Sequence, residues 1–376
     1  MKKILFVLGG LDFGGIEVSL LGVCKYLKRK GNFYPVVLNI SGHGDMNKNF
    51  REEGIELINL KNNNERTLSC HRLDTSFTLR RIIKNIHPRI IHTMTFPADY
   101  HTRLATLGIN IPIITHIQSA KIEKKWHRRF FNRLFSSKTT LYIAVSKKVK
   151  EIVEKWHTNK KPVYVLYNAI DTERYRIPSK EEIKEMKEKL NINNEFIIGS
   201  VGRMFIAAKG FDILIRAFKK ILDKDIKMKL VLVGSGKDEK LLKDLATSLN
   251  IQKQVIFTGY KKDAYKYMRM MDLFIMPSLY EGFGNVHLEA MYMGVPCIIS
   301  RYVPSLEIAE DSAFKIKPNE KEIVDAVLYL MENKKLRENM VKEGKRIIQS
   351  FTTERYVEKL EKIYEDIGKR YYTHLQ

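Results

Sequence analysis

Short runs of β-branched and other apolar residues alternate with longer stretches of helical period along most of the chain. In the first half the apolar runs fall at residues 3–8, 35–40, 56–60, 89–93, 112–116, 140–145 and 163–167, with helical stretches such as 16–30, 76–86 and 146–157 between them. Strand and helix in strict alternation is the pattern of a parallel sheet, because parallel neighbours need a long, usually helical connection between them. A charged helix at 180–190 reads as a connector, and the alternation then restarts, with strands predicted at 196–201, 229–233, 254–258, 272–276 and 295–300. Residues 352–372 form one amphipathic helix with no strand after it. No short repeat is present, which argues against a solenoid.

The restart predicts two successive doubly wound α/β domains, at 1–170 and 171–351, followed by the helical segment 352–376. A chain of 376 residues is also too long for one compact core. Doubly wound sheets bind ligands at the carboxyl ends of their strands, so two of them predict a site in a cleft lined by both.

Composition narrows the class. No apolar run approaches the ~20 residues that span a bilayer. The start "MKKILFVLGGLDFGG" only mimics a signal peptide, since its apolar stretch ends at Leu8 and runs into glycines. Three scattered cysteines, Cys24, Cys70 and Cys297, have neither disulfide nor metal-ligand spacing, which fits a reducing, cytoplasmic setting. The net charge of +23 calls for an anionic partner: nucleic acid, an anionic membrane surface or a phosphorylated small molecule.

Several segments could carry chemistry. "GGLDFGGIEVSL" joins the first strand to the first helix and is either an anion-binding turn or merely a tight one. In "GSVGRMFIAAKGF", Arg203 and Lys209 sit after the first strand of the second domain, where they either bind a diphosphate or remain solvated surface cations. "GSGKDEK" lacks the Lys-Ser/Thr of a nucleotide P-loop and reads as a turn. In "PSLYEGFGNVHLEAM", Glu281 and Glu289 are eight residues apart, about 12 Å along a helix, which is too far for the pair of a retaining glycosidase at ~5 Å. Two separate anchors on an extended, hydroxyl-rich ligand suit that spacing better. His116 ends a first-domain strand, as either a structural or a functional histidine. From Lys121 to Lys138 cations surround a stripe of Ile122, Trp126, Phe130 and Leu134, which fits either an interfacial helix on anionic lipid or a helix packed on its own domain. No nucleic-acid-binding motif accompanies the charge.

Taken together, these residues resemble the family-four retaining glycosyltransferases of the GT-B architecture, over essentially the whole chain. "PSLYEGFGNVHLEAMYMGVP" is similar to the family's E-x7-E signature, and "GRMFIAAKG" to its Arg and Lys pair. The resemblance implies two Rossmann-like domains facing across a cleft, with the helix 352–376 crossing back onto the first. It implies that Arg203 and Lys209 hold a donor diphosphate and that Gly15 approaches it. Glu289 would accept ribose hydroxyls and Glu281 would face the donor sugar. Phe283, Gly284, Asn285 and Val286 would line the sugar and phosphate pocket, Tyr260 would meet the base, and His116 would lie near the transferred sugar. The implied reaction is transfer with retention from a nucleotide sugar to a glycan or lipid-linked acceptor, with no bound metal or other cofactor. The basic segment adds a peripheral site at the inner membrane face. A nucleotide-sugar epimerase of the same architecture and a non-enzymatic polyanion-binding protein are the alternatives.

Overall fold

A computed structural model describes residues 2–60, 73–119, 126–156 and 160–372. Cys70, Lys121, Ile122 and the predicted helix end at His157 lie outside the described residues. The chain forms two compact units: residues up to Asp171 together with those from Phe351 onward, and Thr172–Ser350.

The first unit is a seven-stranded sheet of β1 (Lys2–Leu8), β2 (Phe33–Asn39), β3 (Glu56–Asn59), β4 (Ile90–Thr93), β5 (Ile113–Ile117), β6 (Leu141–Ala144) and β7 (Val163–Val165). All pairings are parallel, in the order β3-β2-β1-β4-β5-β6-β7. Its helices are α1 (Gly15–Lys30), α2 (Asn47–Glu52), α3 (Leu73–Ile86), α4 (Phe96–Ala105), α5 (Trp126–Leu134) and α6 (Lys147–Trp156). The second unit contains α7 (Lys180–Lys189), β8 (Phe196–Val201), α8 (Ile206–Lys209), α9 (Phe211–Leu222), β9 (Met228–Val233) and α10 (Glu239–Ser248). There follow β10 (Val255–Phe257), α11 (Ala264–Arg269), β11 (Leu273–Met276), α12 (Asn285–Met293), β12 (Cys297–Ser300), β13 (Ala313–Ile316), α13 (Glu320–Glu332) and α14 (Lys334–Ile348). Its six strands are parallel in the order β10-β9-β8-β11-β12-β13. Both sheets are doubly wound, as the alternation predicts.

The last helix, α15 (Thr353–Tyr372), belongs to the first unit and packs on α1. Its Tyr356, Val357, Leu360, Tyr364 and Ile367 enter the core shared by α1 and one face of the sheet. Glu361 adds polar anchors, accepting from Lys30 Nζ (3.1 Å) and Asn32 Nδ2 (3.2 Å). The chain enters this helix beside the point where it left the unit. Ile170 donates its N–H to Phe351 and accepts from Thr353, each at 2.9 Å.

One strand escaped the sequence reading. The edge strand β13 was not predicted, because four residues, "AFKI", carry too little alternation to stand out from the loops around them. In the basic segment α5 ends at Leu134, the last residue of the predicted stripe, and a 3-10 turn covers Ser136–Lys138. The predicted stripe is on an open face, with Trp126, Phe130 and Leu134 exposed at 72%, 58% and 56%. The opposite face holds the helix down. Phe131 packs edge-on against Tyr100 at 5.1 Å, and the buried Asn132 accepts from Arg103 Nη1 at 2.8 Å.

Candidate functional site

In a doubly wound sheet the loops at the reversal of strand order splay apart and leave room for a ligand. In the second unit that reversal lies between β8 and β11. The loop after β8 carries Arg203 and leads through α8 to Lys209, and the loop after β11 carries Glu281 and leads to α12. Backbone bonds tie the two together: Leu279 donates its N–H to the Ala208 carbonyl at 2.8 Å. Gly210, in a left-handed turn, lets α8 abut this loop, since a Cβ there would sit 2.5 Å from the Pro277 carbonyl oxygen. Lys209 Nζ pairs with Glu281 Oε1, which also accepts from Ser278 Oγ at 3.2 Å. Both partners are largely enclosed, whereas Arg203 is exposed and its guanidinium has no hydrogen-bond or ion-pair partner among the described residues.

"GSGKDEK" serves this site as a support. The Asp238 carboxylate accepts from the Ile206 N–H at 2.9 Å, capping the start of α8, and the Ser235 carbonyl accepts from Met204 N–H at 2.9 Å. Gly234 lies against the Gly202 carbonyl, where a Cβ would fall 2.1 Å from the oxygen. The sequence reading missed this role of Asp238, which shows only as a short acidic side chain preceding a helix.

At the N-terminus of α12, Phe283 and Gly284 are buried and Asn285 and Val286 are partly accessible. Gly284 has φ of 105°, and a Cβ there would lie 2.6 Å from Val303 Cγ1. Ser305 fixes this corner, donating its N–H to the Phe283 carbonyl at 2.9 Å and placing its hydroxyl 2.8 Å from His287 Nδ1. His287 is fully buried, and burial lowers its pKa to about 3, so it is neutral. Neither His287 nor Ser305 was singled out from sequence, since a lone histidine on a helix has no local signature.

Glu289, on α12, is partly accessible but set deep enough that burial raises its pKa. Arg174 and a hydrogen bond from Tyr175 oppose that rise. Tyr175 is itself fixed edge-on against Tyr265 at 5.3 Å. Glu289 therefore has its own partners and is not part of the Lys209–Glu281 pair. Tyr260, just after Gly259, is half exposed beyond β10.

In the first unit the strand order reverses between β1 and β4. Gly15 is the first residue of α1 and follows the loop from β1, whose Gly9 N–H donates to Thr95 Oγ1 beyond β4 at 3.0 Å. His116, on β5, is buried at 1% exposure with a pKa lowered by burial to about 3. It sits in a polar row with His92 and Gln118 instead of standing on an open strand end.

Among the described residues no three His, Cys, Asp or Glu side chains cluster as metal ligands, and no helix is long and apolar enough to cross a membrane.

Residues 13–174 match the family model described as Glycosyltransferase Family 4, and residues 182–347 match that of Glycosyl transferases group 1. The chain belongs to the glycosyltransferases. This glycosyltransferase is 25% identical over 311 residues to the UDP-Gal:alpha-D-GlcNAc-diphosphoundecaprenol alpha-1,3-galactosyltransferase of Escherichia coli, across 77% of this chain and 78% of that one. It is 28% identical over 207 residues to the capsular polysaccharide biosynthesis glycosyltransferase CapM of Staphylococcus aureus, across 54% of each. In fold it is similar to Anabaena HepE, solved in complex with UDP and glucose, with a TM-score of 0.86, 20% identity, and coverage of 97% of this chain and 100% of that one. The two parallel-sheet units are those of the GT-B fold.

Proposed function

We propose that this glycosyltransferase moves a sugar, with retention, from a nucleotide-sugar donor to a glycan or lipid-linked acceptor in cell-surface polysaccharide assembly. The observation that carries the reading is the joining of Lys209 and Glu281 by the two loops at the strand-order reversal, with Arg203 exposed on the first of them. Arg203 and Lys209 hold the diphosphate and neutralise charge as it leaves, in place of a metal. Glu281 faces the donor sugar, and Glu289 accepts the ribose hydroxyls. Phe283, Gly284, Asn285 and Val286 line the sugar and phosphate pocket, with Tyr260 at the base. The departing diphosphate oxygen takes the acceptor proton at the same face of the sugar, so no side chain need form a covalent intermediate.

The relatives named for a diphosphoundecaprenol acceptor and for capsule biosynthesis support the acceptor class, and the HepE complex supports a nucleotide-sugar donor. The exposed stripe of α5 supports work at the inner membrane face, on the cytoplasmic side where nucleotide sugars are supplied. Titration with a panel of nucleotide sugars, followed by product analysis, tests the reading. Donor-dependent transfer or slow donor hydrolysis with an α-configured product is expected, and failure to bind any donor rejects it.

A further inference from the structure

Three side chains from distant parts of the sequence form a buried row in the first unit: Tyr364 on α15, His92 on β4 and His116 on β5. His92 Nδ1 lies 2.7 Å from the Tyr364 hydroxyl, and His92 Nε2 lies 3.3 Å from His116 Nδ1. The Gln118 carboxamide lies against the same ring, with its nitrogen 3.2 Å from His116 Nε2 and 3.4 Å from His116 Nδ1. Burial lowers the pKa of both imidazoles, and for His92 the neighbouring His116 lowers it further.

A neutral imidazole donates from one nitrogen and accepts at the other, so hydrogen bonds along such a row must all run in one direction. In one arrangement Tyr364 donates to His92 Nδ1, His92 Nε2–H donates to His116 Nδ1, and the His116 proton resides on Nε2. In the reverse arrangement Tyr364 must accept, and its own proton then has no acceptor among the described residues. A buried hydroxyl proton without a partner is disfavoured, which selects the first arrangement. Gln118 fits it with its carboxamide turned so that the oxygen accepts from His116 Nε2–H, an orientation fixed only by the hydrogen-bond network.

We propose that Tyr364 and His92 are positioning residues that hold His116 as the Nε2–H imidazole, so that a sugar hydroxyl displacing the Gln118 oxygen meets a hydrogen-bond donor instead of a base. The terminal helix thereby sets the proton of a site residue eight strands earlier in the sequence. This rests on the reading of His116 as a sugar-side residue, but its first test does not.

Long-range proton–nitrogen correlation spectra of the histidine-labelled full-length protein, assigned with His116→Gln and His92→Gln, report each ring's tautomer directly. The expected wild-type result is His116 protonated on Nε2. Tyr364→Phe removes only the hydroxyl and is expected to bring the Nδ1–H form of His116 into view. It should also lower kcat on the order of tenfold, the scale on which lost outer-shell partners act, with donor KM unchanged. His92→Gln, whose carboxamide can both accept and donate, should retain more turnover than His92→Leu. A wild-type His116 protonated on Nδ1, or identical tautomers and kcat in Tyr364→Phe, overturns the proposal. Where a variant does not fold, the wild-type spectrum decides. Absence of transfer with every donor would reject the function proposed above and leave the tautomer result standing.

Discussion

Lys209 and Glu281 illustrate how two residues remote in sequence acquire one role. Neither carries information alone in a chain with 66 basic residues, yet the loops after β8 and β11 bring them into an enclosed ion pair. In the proposed reading a lysine held by a carboxylate is oriented before the diphosphate arrives, and Arg203 adds a planar fork on the same loop. Replacing Arg203, Lys209 or Glu281 by alanine is therefore expected to reduce turnover about 10²- to 10³-fold each, the range for removing one preorganised transition-state contact. Initial rates at saturating donor check this, and near wild-type rates in any of the three count against its assignment. Because Lys209 and Glu281 touch, their double alanine variant should lose much less than the product of the single losses. These residues were legible in sequence because glycines and helix starts frame them at a fixed place after a strand. Asp238, Ser305 and His287 were not, because their work depends on partners tens of residues away. His116 was found by its strand-end position, but nothing local to it reveals the row to Tyr364.

Among the elements, α4 and α5 share a buried polar seam. Arg103 donates to Asn132 Oδ1 at 2.8 Å and to Thr115 Oγ1 at 3.0 Å, while Asp99 lies fully buried nearby. Burial raises the Asp99 pKa to about 6, against the lowering influence of Arg103 and a hydrogen bond with Thr93. A carboxyl whose folded pKa is raised contributes stability below about pH 4, and that contribution is lost as pH rises through about 6. Asp99→Asn should remove this part of the pH dependence, on the order of 3 kcal/mol across the window, in urea unfolding at pH 4 and pH 7. His92, His116 and His287 act in the opposite sense. Their lowered pKa values make stability fall as pH drops below about 6.5, so the comparison of variant with wild type isolates Asp99. The outer face of α5 poses a different question. Trp126→Ser with Phe130→Ser removes two large apolar groups from the exposed stripe, and sedimentation with anionic vesicles should show binding weakened about tenfold or more. Binding to neutral vesicles should be weaker in both proteins, and added salt should weaken the anionic case. The elements themselves were readable from period alone, except where short length erased the pattern, as in β13.

At the scale of the molecule, the restart of strand–helix alternation marked two sheets, and each has its strand-order reversal where its glycine-rich loops lie. Periodicity alone could not assign α15, since an amphipathic helix fits any apolar surface. Its buried face of five large side chains belongs to the core around α1. At ~1.5 to 3 kcal/mol for each fully buried side chain, losing them is comparable to the usual stability of a whole domain. A chain ending at Phe351 should therefore leave the first unit unfolded or protease-sensitive while Thr172–Ser350 stays protected. Limited proteolysis with mass spectrometry distinguishes that outcome from even loss of both.

The paired crossing at Ile170 and Thr352 has a consequence for synthesis. A ribosome delivers every strand of the first sheet before it begins the second unit, yet the helix that closes the first core emerges only after that second unit is complete. The earliest half to be made is thus the last to be finished, and until then α1 presents an open apolar groove to chaperones and to other nascent chains.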